Sequence, residues 1–170
     1  MAGLLPLRHF GPNCIFPATA PATGANMAFR GHYEHTLDAK HRLSIPARFR
    51  AAYSSGLVLA KDLDACISVW TPEAHEDTVE RALAGRNPFS AEYKQLQRRF
   101  QAHSFDIDLD SAGRVTLPPP LLTHAGVEKE VVVAGVGDHL EVWGRERWQE
   151  EQESLEASIG EVTRSLGNPS

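Results

Sequence analysis

Two nine-residue segments hold the side chains best placed to do chemistry. DAKHRLSIP at 38–46 and DSAGRVTLP at 110–118 repeat an aspartate, an arginine and a closing proline at a spacing of 72. Aspartate at the head of a tight turn can bond to the backbone two residues on, and glycine supplies the left-handed conformation that ends a three-residue loop. Those two rules account for Asp38, Asp110 and Gly113, but no turn rule asks for Arg42 or Arg114. In the first copy His41 stands where the second has Gly113, at a conformational cost on the order of 1 kcal/mol for a residue with a side chain. The first loop thus presents Lys40, His41 and Arg42 in a row. A guanidinium there could lie bidentate on guanine O6 and N7, while lysine and neighbouring arginines hold the phosphate backbone.

Charge distribution supports that chemistry. From Arg30 to Arg50 the chain carries Arg30, Lys40, Arg42, Arg48 and Arg50 against Glu34 and Asp38, so this segment is +3 within a chain of net charge −5, and the remainder is −8. Cations gathered around one hairpin and the helix behind it form an electrostatic footprint for phosphate. The acidic remainder argues against a protein coated with nucleic acid over its whole surface.

Other chemistries lack their residues. The acids of DIDLD at 106–110 alternate with Ile107 and Leu109, as in a strand, and a calcium loop starting at Asp106 would need Gly and an acid where Ser111 and Leu117 stand. AGVGDH at 134–139 has no phosphate-loop lysine, and neither G-x-S-x-G nor H-E-x-x-H occurs. The residues therefore indicate neither an enzyme nor a cofactor or metal site. Cys14 and Cys66 show no paired spacing and read as incidental or buried thiols of a reducing cytoplasm. No apolar run approaches the roughly 18–20 residues of a membrane span.

The elements that must carry the two segments come in the same order twice. HTLD and RLSIP read as a hairpin, PARFRAAY has helical spacing opened by Pro46, GLVLAKDLDACISVW reads as a second hairpin, and TPEAHEDTVERALAG as a helix capped by Thr71. FDIDLD, RVTLP, the short segment 118–124, EVVVAGVGDHLEVW and an acidic helix from about Arg145 repeat the series, and Trp70 matches Trp143 as a core anchor. NPFSAEYKQLQRRFQAHS links the copies as a helix capped by Ser90. Each copy is too short for a confident core of its own, so the two should pair about a pseudo-two-fold and cover each other's apolar faces. The boundaries expected are a disordered extension at 1–26, a first repeat at 27–86, a linking helix at 87–103, a second repeat at 104–150 and an acidic helix or tail at 151–170. The extension lacks the unbroken apolar centre of a secretory signal, and Met27 could serve as the start.

MAFRGHYEHTLDAKHRLSIPARFR and DSAGRVTLPPPLLTHAGVEKEVVVAGVGDHLEVW resemble the two halves of the MraZ family of bacterial transcriptional regulators. The resemblance implies an α+β, β-rich fold: two SpoVT/AbrB-like swapped-hairpin repeats that make a small barrel with helices outside. It implies a ring-shaped homo-oligomer that binds double-stranded DNA at short promoter repeats and represses its own division and cell-wall cluster, in the cytoplasm with the nucleoid. It puts Lys40 and Arg42 on DNA with His41 in the same loop, Arg30, Arg48 and Arg50 as backbone contacts, and Asp38, Asp110, Gly113 and Arg114 as the turn signature, Arg114 chiefly structural. It departs at His41, where the family usually carries glycine. The competing expectation is a ring-forming scaffold whose basic hairpin touches protein or RNA.

Overall fold

The computed structural model describes residues 28–166, so the extension, Cys14, Met27 and the last four residues of the expected tail lie outside the described residues. Short runs, several of them continuously apolar, make eight strands: β1 Phe29–Thr36, β2 Arg42–Ser44, β3 Leu57–Lys61, β4 Ile67–Trp70, β5 Ser104–Ile107, β6 Arg114–Thr116, β7 Glu130–Gly137 and β8 Leu140–Gly144. A 3-10 helix, Ala47–Tyr53, comes after β2, and the α-helices are α1 Pro72–Leu83, α2 Ala91–Gln101, α3 Pro119–Ala125 and α4 Arg145–Leu166. Thr71 and Ser90 cap α1 and α2 as their sequences require, each hydroxyl accepting from the backbone N–H three residues on. Pro46 stands just outside the 3-10 helix, as its cap, rather than in the first turn.

β1 and β2 do not pair with each other as a simple hairpin reading would have it. β1 pairs antiparallel with β7 of the second half, and β5 pairs with β3 of the first. β2 lies against β6, and β4 against β8. The resulting sheet has the order β1-β7-β8-β4-β3-β5, which reads the same from either end once the halves are exchanged, and β2 with β6 forms a separate ribbon. The two copies are thus intertwined about an axis between β4 and β8. The α+β class and the swapped repeats are as expected, but the sheet is open and not a closed barrel, with β1 and β5 as its edges.

The reason lies in what covers the sheet. One face carries Leu57, Leu59, Ile67, Val69, Val131, Val133, Leu140 and Val142, and over it pack Leu43, Ile45, Phe49 and Tyr53 from the first half and Val115, Leu117, Leu121 and Leu122 from the second. At roughly 1.5–3 kcal/mol for each large side chain buried, that shared layer exceeds anything one half could build alone. With the ribbon, the 3-10 helix and α3 as a lid, the edges have no need to meet. The Tyr53 hydroxyl donates to the Val69 carbonyl at 3.0 Å, so the one polar atom it brings inside is satisfied. On the other face α1 covers Val58, Ala60 and Trp70, and α4 sets Trp148 against Trp143 at 6.0 Å between ring centroids. Both strand-end tryptophans are buried, as core anchors should be.

Candidate nucleic-acid interface

The repeated segments meet at the ribbon. Leu43 faces Val115 across it, Arg42 faces Thr116 and Ser44 faces Arg114. Each turn is closed in the same way: Asp38 exchanges backbone bonds with His41 and Arg42, and Asp110 does so with Gly113 and Arg114. Asp38 Oδ1 accepts from the N–H groups of Lys40 and Arg42 at 2.9 and 3.0 Å, while Asp110 Oδ1 accepts from Ala112 and Arg114, both at 2.9 Å. Each turn also offers a carbonyl to the other copy. His41 O accepts from Leu117 N, and Gly113 O accepts from Ile45 N, both at 3.0 Å.

The arginines that no turn rule demanded complete this arrangement. Arg42 Nε donates to Asp38 Oδ2 at 2.7 Å and Arg114 Nε to Asp110 Oδ2 at 2.9 Å. Their Nη1 atoms reach across to the other turn's aspartate at 3.9 Å, so two carboxylates and two guanidiniums form one pseudo-symmetric cluster. The backbone N–H of Arg42, joined by its side chain, holds the Asp38 carboxyl down at about 2, and Arg114 acts on Asp110 in the same direction. Charge-assisted bonds in both directions make the pair of turns a single preorganised unit. The signal for this clamp was in the sequence, since both copies keep the acid and the arginine four residues apart.

Among the sequence-derived candidates, the structure brings some together and not others. Lys40 and His41 stand exposed at the tip, and no hydrogen bond or ion pair of their side chains occurs among the described residues. His41 adopts φ +55°, the conformation that its match to Gly113 (φ +74°) requires. Arg42 and Arg114 are half-exposed with one guanidinium edge engaged by the carboxylates. Arg50 lies beneath the second turn, where Nε donates to Ile45 O at 2.8 Å and Nη2 to Ser44 Oγ at 3.2 Å. Arg30 and Arg48 belong elsewhere: Arg48 Nη1 donates to the Tyr33 hydroxyl at 2.9 Å, and that hydroxyl donates to Arg30 O at 3.4 Å. Arg30 precedes Asp38 by eight residues along an extended segment, up to about 26 Å at 3.3 Å per residue. The cations of the first segment are therefore divided between the turn and the Tyr33 hydroxyl. Tyr33, which joins Arg30 to Arg48, was not singled out from the sequence.

Gly113 shows a second constraint. A Cβ there would stand 2.7 Å from Arg50 Cζ and closer still to Nε, so the guanidinium can cross the turn only over a glycine. The residue matching Arg50 at the spacing of 72 is Leu122, which has no guanidinium to lay across the first turn. His41 and Gly113 differ because their overlying side chains differ.

One other group of ligand-type atoms occurs among the described residues, where Asp62, Cys66 and Glu141 bring one atom each within 4.8 Å of one another. Burial pushes the Cys66 thiol and the Glu141 carboxyl up. No helix among the described residues is long and apolar enough to cross a membrane.

Comparison with known proteins adds to this geometry. The family model described as "MraZ protein, putative antitoxin-like" matches twice, over residues 28–100 and 100–166. A protein of Syntrophomonas wolfei is 34% identical over 138 residues, covering 81% of this chain and 96% of its own length. One of Heliobacterium modesticaldum is 37% identical over 139 residues, with 81% and 96% covered, and one of Lachnoclostridium phytofermentans 38% over 121 residues, with 71% and 84%. Each is named Transcriptional regulator MraZ. With two family matches that together span all the described residues, the chain belongs to the MraZ family.

Proposed function

We propose that this protein is a sequence-specific, DNA-binding transcriptional regulator that uses the paired turns as its contact surface. The observation that carries the reading is that Lys40 and His41 stand exposed, with no side-chain partner among the described residues, at the tip of a turn that the Asp38–Arg42 clamp holds rigid. A tip fixed before binding loses little conformational entropy on contact, so even a few charge–phosphate bonds yield net affinity. Around it, Lys40, Arg42, Arg50 and Arg114 outnumber Asp38 and Asp110, so the platform is positive although the chain is acidic. Lys40 and His41 make the outward contacts, Arg42 presents its free guanidinium edge to a base or phosphate, and Arg30 with Arg48 touches backbone farther along the duplex. Asp38, Asp110, Gly113 and Arg114 hold the platform.

One such platform neutralises few phosphates and binds weakly alone. Several on a ring-shaped homo-oligomer engage spaced promoter repeats together, and effective concentration multiplies the affinity. The regulated DNA in this reading is the protein's own upstream region, ahead of a division and cell-wall gene cluster, and the outcome is repression in the cytoplasm at the nucleoid.

The test is a mobility shift with that upstream DNA against scrambled sequence at two salt concentrations, together with a series of one, two and three repeats. Specific binding keeps its preference at the higher salt while both affinities fall. Equal binding of scrambled DNA at both concentrations sinks the regulator reading, and a single repeat bound as tightly as three removes the ring from it.

A further inference from the structure

The outer face of the sheet, away from the shared core, holds a group of side chains that the DNA reading does not use. Pairing sets Ser68 of β4 opposite Glu141 of β8. Ile67, Val69, Leu140 and Val142 turn into the core, so Cys66, Ser68, Glu141 and Trp143 take the outer face. The backbone N–H of Asp62 donates to Cys66 O at 3.4 Å, which extends the β3–β4 ladder and puts Asp62 beside Cys66. Asp62, Cys66 and Glu141 thereby bring one ligand-type atom each within 4.8 Å of the others. Two of the three come from the first half of the chain and one from the second, so the group straddles the strand pair where the halves join.

Its thiol is what sets this group apart from an acidic turn. Cys66 is 0% exposed, and its sulfur makes no hydrogen bond among the described residues although it faces two carboxylates. A buried cysteine usually packs as a small apolar side chain. Here four acids, Asp62, Glu141, Asp64 and Glu151, stand close enough to oppose a negative charge on it. No lysine or arginine ion pair among the described residues includes any of the four, and His139 Nε2 comes only to 3.8 Å from Glu141 Oε1. The other basic groups nearby address the backbone. His124 Nε2 donates to Asp62 O at 3.1 Å and Asp64 O at 2.8 Å, and Arg99 Nη2 also donates to Asp62 O. They fix the turn and leave its carboxylates facing the thiol.

Outer bonds hold the carboxylates as a ligand set requires. Trp143 Nε1 donates to Glu141 Oε2 at 2.8 Å, which orients the group and leaves Oε1 to coordinate. Asp62 Oδ1 accepts from Asp64 N at 3.3 Å and leaves Oδ2 in the same way. Ligands about 2.0–2.3 Å from a zinc ion lie roughly 3.3–3.8 Å from one another, so the present spread closes onto an ion by small side-chain rotations. Both carboxylates are half-buried, which gives the ion its entry and a water a fourth position. A thiolate with two carboxylates suits zinc and its like, whereas magnesium and calcium take oxygen ligands alone.

We infer that Asp62, Cys66 and Glu141 bind one divalent transition-metal ion of the zinc class, tying the β3–β4 turn of the first half to β8 of the second. The site stands apart from the paired turns, and its test uses no DNA. The probe is Co²⁺ titrated into the full chain, freed of metal and kept reduced. A thiolate-to-cobalt charge-transfer band should grow in the near ultraviolet and saturate at one equivalent. Zn²⁺ should abolish it, and excess Mg²⁺ should not. Cys66→Ser should remove the band, whereas Cys14→Ser should keep it. Asp62→Asn and Glu141→Gln, near-isosteric changes at half-buried positions, should each weaken cobalt binding at least about tenfold with unchanged circular dichroism. One equivalent of Zn²⁺ should raise the melting temperature of the native chain and leave that of Glu141→Gln unmoved. No band with cobalt in excess, a band that survives Cys66→Ser, or native affinity in both carboxylate variants would each overturn the site.

Discussion

The first and second turns share a backbone and a clamp, yet they present different surfaces. Both close on an aspartate that takes the same two backbone N–H groups and the same arginine Nε. The first tip exposes Lys40 and His41, and the second exposes Ser111 and Ala112 before a buried Gly113. The lesson is that duplication preserved what holds the turns together and freed what they display. Asp38 and Asp110 each engage one edge of a guanidinium, and the clamp uses the side chain of neither Lys40 nor His41.

Exchanging residues between the turns probes that division, and the largest effect should come from Gly113→His. It adds a side chain at φ +74° and drives its Cβ into Arg50, for a loss of about 2–4 kcal/mol from left-handed strain plus overpacking. A denaturant midpoint measures it. Adding Arg50→Leu, which copies Leu122 of the other half, should recover part of the loss; no recovery would detach Arg50 from the difference between His41 and Gly113.

The acid limb of stability should depend on both turns together. Asp38 is held below its ordinary 3.8, at about 2, and Asp110 is lowered in the same direction. A carboxylate with a depressed folded pKa contributes stability above its unfolded value and loses it as pH falls through the folded one. That contribution is therefore full above about pH 4 and lost toward pH 2. Asp38→Asn with Asp110→Asn should flatten the stability curve across that window and leave the shape near neutrality alone. Denaturant titrations at pH 2, 3, 4 and 7 would show it, and an unaltered acid limb would mean the clamp has no energetic weight.

Binding should separate the turns more cleanly than stability does. Lys40→Ala should weaken DNA binding and reduce the salt slope by about 0.9 per phosphate contact removed, without moving the denaturant midpoint. Ala112→Lys should add a comparable increment from the second turn if both tips face the duplex, and none if only the first does. The smallest change should come from His41→Gly, which relieves the positive φ and stabilises by about 1 kcal/mol. A loss of stability there would show that the imidazole contributes a contact of its own.

Much of this was legible in order and spacing. The doubled elements, the capping by Thr71 and Ser90, the left-handed place of His41 and the buried tryptophans obey local rules, because turn geometry, capping and strand alternation are decided within a few residues. Pairing partners were not legible. The alternation of β1 fits β2 as well as β7, since period two says which face is buried and nothing about which strand lies alongside. The site was half legible for the same reason. Lys40 and His41 could be picked out as exposed side chains on a turn, and the shared spacing of acid and arginine signalled the bond of Arg42 to Asp38, but the reach of each arginine Nη1 to the other aspartate depended on a turn 72 residues away. Arg50 is clearer still: its place in the basic segment grouped it with the backbone contacts, and its bonds to Ile45 and Ser44 beside Gly113 appear only in the fold.

What the linear order established, then, is that one unit occurs twice, that its turn needs an aspartate and a left-handed residue, and that positive charge gathers around the first copy. These are local properties, written in side-chain type and period. The fold settled the exchange of strands between the copies, the neutral four-charge clamp, the open sheet and the approach of Cys66 to Glu141. Those depend on which surfaces meet, and a contact between distant residues is set by the burial of a shared core rather than by either segment alone.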